Sequence, residues 1–201
     1  MCWMACHYLS HHPVHWVCEM VDSSTYAVVD WIMWWFTADC HISHPWIAGQ
    51  RGFTYTQSHD RAMMEGWNKV VHPRDVVVVC GDMFWSNFPQ VERYWNALNG
   101  SKIMVKGNHD RWLKKIKIPY KRIYSKNIKR KEGNTYVVAC HYPILSWNRK
   151  RYGALHVHGH CHGNILPDWH RMDVGVDVAK LMFNEWRPFS LDEVNYLLKE
   201  K

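Results

Sequence analysis

The sequence predicts an α/β layer architecture, and three observations predict it. Short apolar runs alternate along the chain with segments of helical period. One run, Asp75 to Cys80, holds four consecutive Val, the mark of a strand buried on both faces. Chemically active residues cluster where such runs stop, as they do in α/β sheets whose sites lie beyond the strand ends.

The elements follow in order. The first 30 residues are dense in Cys, His, Trp and Met and show neither period, so residues 1–30 read as a poorly ordered extension and residues 31–201 as one domain. Met33 offers an in-frame start. The alternative for the extension is a metal site built from His7, His11, His12 and His15 with Cys2, Cys6 and Cys18, but that spacing does not match paired zinc patterns. Trp34 to Ala38 is a short buried strand ending at Asp39. Met63, Trp67, Val70 and Val71 share one helical face within Asp60 to Val71, and Pro73 stops that helix. The Val strand ends at Gly81-Asp82. Pro89 suits a first helical turn, Val91, Tyr94, Trp95 and Leu98 continue it, and Gly100 sits where a C-terminal cap belongs. Lys102 to Val105, Tyr136 to Cys140 and Ala154 to Val157 are three more strands. Ser190 with Glu193 forms a capping box for the last helix, continued by Val194, Leu197 and Leu198.

At 201 residues the chain has the length of one domain. Hydrophobic content of 47% and charged content of 21% are ordinary for a globular chain, whereas 13 Trp and 15 His are not. A formal net charge of +7 favours polyanionic partners. Seven cysteines without the spacing of a disulfide framework argue for a reducing compartment, hence a cytoplasmic protein. Cys40, Cys80, Cys140 and Cys161 adjoin the motifs below, and strand alternation turns them into the core as small hydrophobes. No apolar run reaches 18 residues, so no membrane span is expected.

Five runs carry the chemistry: Asp39-Cys40-His41, Gly81-Asp82, Gly107-Asn108-His109-Asp110, His141 and Gly159-His160-Cys161-His162. They offer two Asp, one Asn and four His as metal ligands, with a further His beside an Asp. Carboxylate, amide oxygen and imidazole together suit divalent metals, and a shared Asp lets two ions sit side by side. Alone, the first, second and fourth runs are weak signals, since such pairs and turns are common. The third and fifth are moderately specific. Their order and their placement at strand ends carry the reading.

These five runs resemble the pattern of the calcineurin-like metallophosphoesterase family, D-x-H, GD-x-x-D, GNH-D/E, a lone His and GH-x-H, matched from Asp39 to His162. Small bacterial and phage members without a cap domain are the most similar, through Trp35-Phe36-Thr37-Ala38-Asp39, His141-Tyr142-Pro143 and the segment Met172 to Asp177. One position departs: the final D of GD-x-x-D falls on Trp85. The resemblance implies a four-layer β-sandwich of two mixed sheets flanked by helices. It implies one metal held by Asp39, His41, Asp82 and His162, and a second held by Asp82, Asn108, His141 and His160. Mn²⁺ is the expected ion, with Zn²⁺, Fe and Ni²⁺ as alternatives. His109 would serve as the catalytic His, oriented by Asp110. The implied activity is hydrolysis of phosphoesters, by preference diesters, through a metal-bridging hydroxide. The competing readings are a nuclease or RNA-processing phosphodiesterase, and a metal-binding scaffold without turnover.

Outside the motifs, Trp147-Asn148-Arg149-Lys150-Arg151 is the expected substrate segment. Arg149 and Arg151 suit a phosphate clamp and Trp147 a base stack, against the bland reading of a solvated loop. Lys102 to Lys131 carries twelve Lys or Arg and one acid, Asp110, which suits a nucleic acid or simply a soluble basic face. His156 and His158 read as strand residues.

Overall fold

A computed structural model describes residues 32–85, 90–114, 118–129 and 133–199 of the chain. The expectations for residues 1–30 and for Pro89 lie outside the described residues. Two mixed sheets face each other. In the first, β1 (Trp34–Thr37), β2 (Val76–Val79), β3 (Ser101–Val105) and β4 (Tyr120–Lys121) run parallel, and β9 (Phe189–Ser190) joins β1 antiparallel. In the second, β6 (Thr135–Cys140), β7 (Leu155–His158) and β8 (Arg171–Asp173) run parallel, with β5 (Ile123–Ile128) antiparallel at the edge.

Alternation along each strand explains the layers. Phe36, Val78 and Val105 of the first sheet meet Val137, Ala139, Leu155 and Val157 of the second in one buried cluster. Their sequence neighbours Trp35, Val77, Val79 and Met104 point the other way, onto Met63 and Trp67 of α2 (Thr56–Val70) and Trp95 of α3 (Val91–Ala97). At these sites side chains i and i+2 share a face, so one Val run feeds two cores. The helices α4 (Val176–Phe183) and α5 (Leu191–Lys199) add Val178, Ala179, Val194 and Leu198 to the inter-sheet cluster. The capping box forms as expected: the Ser190 N–H donates to Glu193 Oε2 at 2.7 Å, and the Glu193 N–H donates to Ser190 Oγ at 3.2 Å.

The outer face of the second sheet is covered differently. Val138 packs there with Trp147 and Ala154, so a loop supplies part of that layer. The short helix α1 (Pro45–Gln50), β5, β8 and α4 carry too little period to read from sequence. Cys40, Cys80 and Cys140 are buried as expected, whereas Cys161 is only half-buried.

Candidate metal centre

Each of the five runs begins where a strand ends. Asp39 follows β1, Asp82 follows β2, Asn108 follows β3, His141 follows β6, and His160 and His162 follow β7. The two sheets therefore deliver their side chains to one end of the sandwich. Asp39, His41 and His162 each offer an atom within 4.8 Å of the others, and so do Asp39, Asp82 and His141.

The backbone there is unusual. Asp39, His41, Asp82, His160 and His162 have φ of 56°, 47°, 53°, 70° and 49°. The left-handed region costs a residue with a Cβ about 1–2 kcal/mol, and such strain gathers at functional sites. Hydrogen bonds hold these turns. The Asp39 N–H donates to the Gly81 carbonyl and that of His41 to the Asp82 carbonyl, both at 3.0 Å. The His160 N–H donates to Asp39 Oδ2 at 2.8 Å, and the His109 N–H to Asp82 Oδ1 at 2.8 Å. Two motif glycines are explained by close approach. A Cβ on Gly107 would overlap Asp82 Oδ1, and one on Gly159 would sit 2.6 Å from Asp39 Oδ2.

Tautomers follow from the hydrogen bonds. The Nδ1–H of His141 donates to the Cys80 carbonyl at 2.9 Å, which leaves a lone pair on Nε2. That Nε2 lies 2.8 Å from Asn108 Oδ1 and 3.4 Å from Asp82 Oδ2. His160 Nδ1 lies 3.1 Å from the same Asn108 oxygen. The lone pair on His141 Nε2 thus faces the Asn108 and Asp82 oxygens. Asp82 Oδ2 is also 4.0 Å from His41 Nε2, so it stands between the two expected ligand sets. Asp39 Oδ1 and His41 Nδ1 are buried without a hydrogen-bond partner. A cation satisfies the facing lone pairs and the orphaned Asp39 oxygen, and the donor set fits a divalent metal.

Electrostatics agree with that charge need. Burial, then Asp173 and Asp82, pushes the Asp39 carboxyl well above its usual range. Burial also raises Asp82. Burial lowers His141 to about 4 and, with Arg51 next, lowers His41 to about 2, so both rings stay neutral and ligand-ready.

Residues that no motif marked hold this geometry. The Nδ1–H of His162 donates to Asp177 Oδ2 at 2.7 Å, and its ring stacks on that of His41 at 5.2 Å. Arg51 grips Asp177 with Nε at 2.8 Å and a terminal nitrogen at 2.6 Å, and donates to the Asp39 and Cys40 carbonyls. Arg51 also meets His59 Nε2 at 3.0 Å, and His59 Nδ1–H donates to Asp60, which anchors Ser43. Burial would raise Asp177, but the hydrogen bonds from His162 and Arg51 outweigh it and hold the carboxyl well below its usual range. Asp173 accepts the Gly163 and Gly175 N–H groups. Asp173 and Asp177 lie in a segment whose resemblance was visible; Arg51 had no signal.

Two expectations change. Among the described residues no hydrogen bond or ion pair joins the His109 ring to Asp110. Its oxygens accept the N–H groups of Asp82, Met83 and Gly107 and the Trp112 indole, at 2.7–3.1 Å, so it fixes the Asp82 turn. Trp147 is 7% exposed, donates its indole N–H to the Ala154 carbonyl and packs on His156, so it offers no face to a base. Arg149 lies 5.0 Å over the Tyr136 ring, and Arg151 is exposed. Among the described residues no hydrogen bond, ion pair or ring contact joins either to the cluster. Instead, Tyr142 and Trp85 border the site. Tyr142 is 45% exposed with its ring 4.7 Å from His160. Trp85, where an acid was expected, lies 3.8 Å from the His44 ring and 5.5 Å from that of His109.

A family model described as calcineurin-like phosphoesterase matches residues 34–188. An uncharacterized protein of Methanocaldococcus jannaschii, MJ1445, is 25% identical over 81% of this chain and 89% of its own length. The Gene 66 protein of Mycobacterium phage D29 is 28% identical over 66% of this chain and 79% of its own. The crystal structure of AQ665 from Aquifex aeolicus, a protein of unknown function, has the same fold. Its TM-score is 0.60 at 21% identity, over 83% of this chain and 99% of that one.

Proposed function

Because this chain belongs to the calcineurin-like phosphoesterase family, we propose that it hydrolyses phosphoesters, by preference phosphodiesters, with two divalent metal ions. The observation that carries the reading is the set of lone-pair atoms turned toward one another at the strand ends: His141 Nε2, Asn108 Oδ1, Asp82 Oδ2 and the orphaned Asp39 Oδ1. Asp39, His41, Asp82 and His162 would hold one ion, and Asp82, Asn108, His141 and His160 the other. Mn²⁺ is the first ion to test. When bound, such ions acidify water and neutralise charge on the phosphoryl oxygens.

The chain's own residues do the rest. Asp82 joins the two ligand sets, and Asp110 keeps its turn in place through three backbone N–H groups. Asp177 fixes the His162 tautomer, with Arg51 behind it. His109 is half-buried, with its ring 5.6 Å from that of His41. It would protonate the departing oxygen or bind a phosphoryl oxygen.

The test is hydrolysis of bis-p-nitrophenyl phosphate beside the monoester, after chelation and Mn²⁺ add-back. Asp82→Asn and Asn108→Ala should each lose turnover by roughly 10²-fold or more, the scale of electrostatic catalytic groups. Full activity in both variants would sink the proposal. Stoichiometric metal binding without turnover of either ester would put the scaffold reading in its place.

A further inference from the structure

The basic stretch that the sequence singled out becomes a defined surface once folded. Its strands β4 and β5 are the edge strands of the two sheets, and the chain passes from one to the other through Arg122 alone. Lys121, Arg122, Lys126 and Lys129 are exposed along them. Between residues 101 and 129 the one acid is Asp110. It is fully buried and engaged with backbone amides, so it offers no counter-charge at the surface.

The cations begin at the site. Lys106 precedes Gly107-Asn108 directly, and its N–H donates to the Lys121 carbonyl at 2.8 Å. Arg111, also exposed, follows Asp110. Ile123 pairs with Cys140, the residue before His141, so Arg122 lies at the site end of the second sheet. From there β5 runs away from the site, with Lys126 opposite Val137 and Ile128 opposite Thr135. At about 3.3 Å per strand residue, Arg122 to Lys129 extends roughly 23 Å, more than a mononucleotide needs. Tyr142 adds an exposed aromatic ring beside His160. Spaced cations with an aromatic face at the reacting end suit a single-stranded polynucleotide, whose phosphates track the charges while a base stacks.

We propose that the β4–β5 edge is the track on which a single-stranded nucleic acid lies as it enters the metal centre. This rests on the phosphoesterase reading and names its substrate class.

Binding is measured by fluorescence anisotropy on the full chain after chelation, with a labelled oligonucleotide of about 15 nucleotides. Between about 50 and 200 mM salt, log K should fall linearly with log salt, by about 0.7 for each phosphate contact. The variant Lys121→Gln/Arg122→Gln/Lys126→Gln should flatten that slope by about 2 and weaken low-salt binding at least about tenfold. Its melting temperature and its turnover of bis-p-nitrophenyl phosphate should match the parent. An unchanged slope in the variant overturns the proposal. So does no binding by the parent at low salt, or tighter binding of phosphatidylserine vesicles than of the oligonucleotide. The binding arm needs no catalysis, so failure of the phosphoesterase reading registers separately, as absent turnover in the parent.

Discussion

His162 shows how much one residue depends on its neighbours. Its motif names the imidazole, but Asp177 chooses which nitrogen is free, and Arg51 holds Asp177. Asp177→Asn keeps the shape and removes the charge, which weakens the hydrogen bonds to the His162 ring and to Arg51. Mn²⁺ affinity should fall about 10–100-fold, the usual effect of removing such a supporting carboxylate. Calorimetric titration checks this, and an unchanged affinity would remove Asp177 from the metal centre's support. Asp110 teaches the same lesson in reverse. A carboxylate next to a motif His reads as its partner, yet three backbone amides and an indole claim it instead.

At the scale of elements, the loop from His141 to Ala154 is tied to the second sheet. His156 does the attaching. Its Nδ1–H donates to the Val138 carbonyl at 3.0 Å, and its Nε2 accepts the Ile144 N–H at 3.2 Å. The second bond requires the neutral ring, since a protonated Nε2 cannot accept, and burial lowers the ring's pKa from 6.5 to about 4. A base whose folded pKa is depressed takes up its proton more readily on unfolding. Its stabilising contribution is therefore complete above pH 6.5 and is lost as pH falls toward 4. His156→Gln should be less stable than the parent near neutrality, and the gap should shrink by on the order of 2–3 kcal/mol across that window. Urea midpoints along a pH series measure it; a gap that stays constant refutes the assignment.

At the scale of the molecule, the site joins the two sheets. Asp39, Asp82 and Asn108 come from the first, and His141, His160 and His162 from the second. Without a cation the carboxylates crowd one another, which is one cause of the raised Asp39 value after burial itself. A divalent ion should then stabilise the whole fold. At a hundredfold excess over Kd the gain is about 2.7 kcal/mol, or roughly 5–10 °C in Tm for a chain of this size. Differential scanning calorimetry with Mn²⁺ and with chelator tests this, and hydrogen exchange should show protection rising in both β2 and β6. A Tm indifferent to metal would mean that the sheets do not share the ion.

The sequence by itself determined the strands β1, β2, β3, β6 and β7, the helices α2, α3 and α5, the layer architecture and the five runs of the site. Those depend on period, punctuation and residue type, which are local and additive along the chain. Tertiary structure alone decided that Trp147 is core, that Asp110 serves the Asp82 turn and that Arg51 reaches Asp177, 126 residues away. It also decided that a basic run becomes two adjoining sheet edges starting at the metal centre. The physical reason is common to all four. Hydrogen bonds and burial are assigned by which groups meet in space, and a buried polar group takes whichever partner is there. A residue's type fixes what it can offer; only the fold fixes what it is offered.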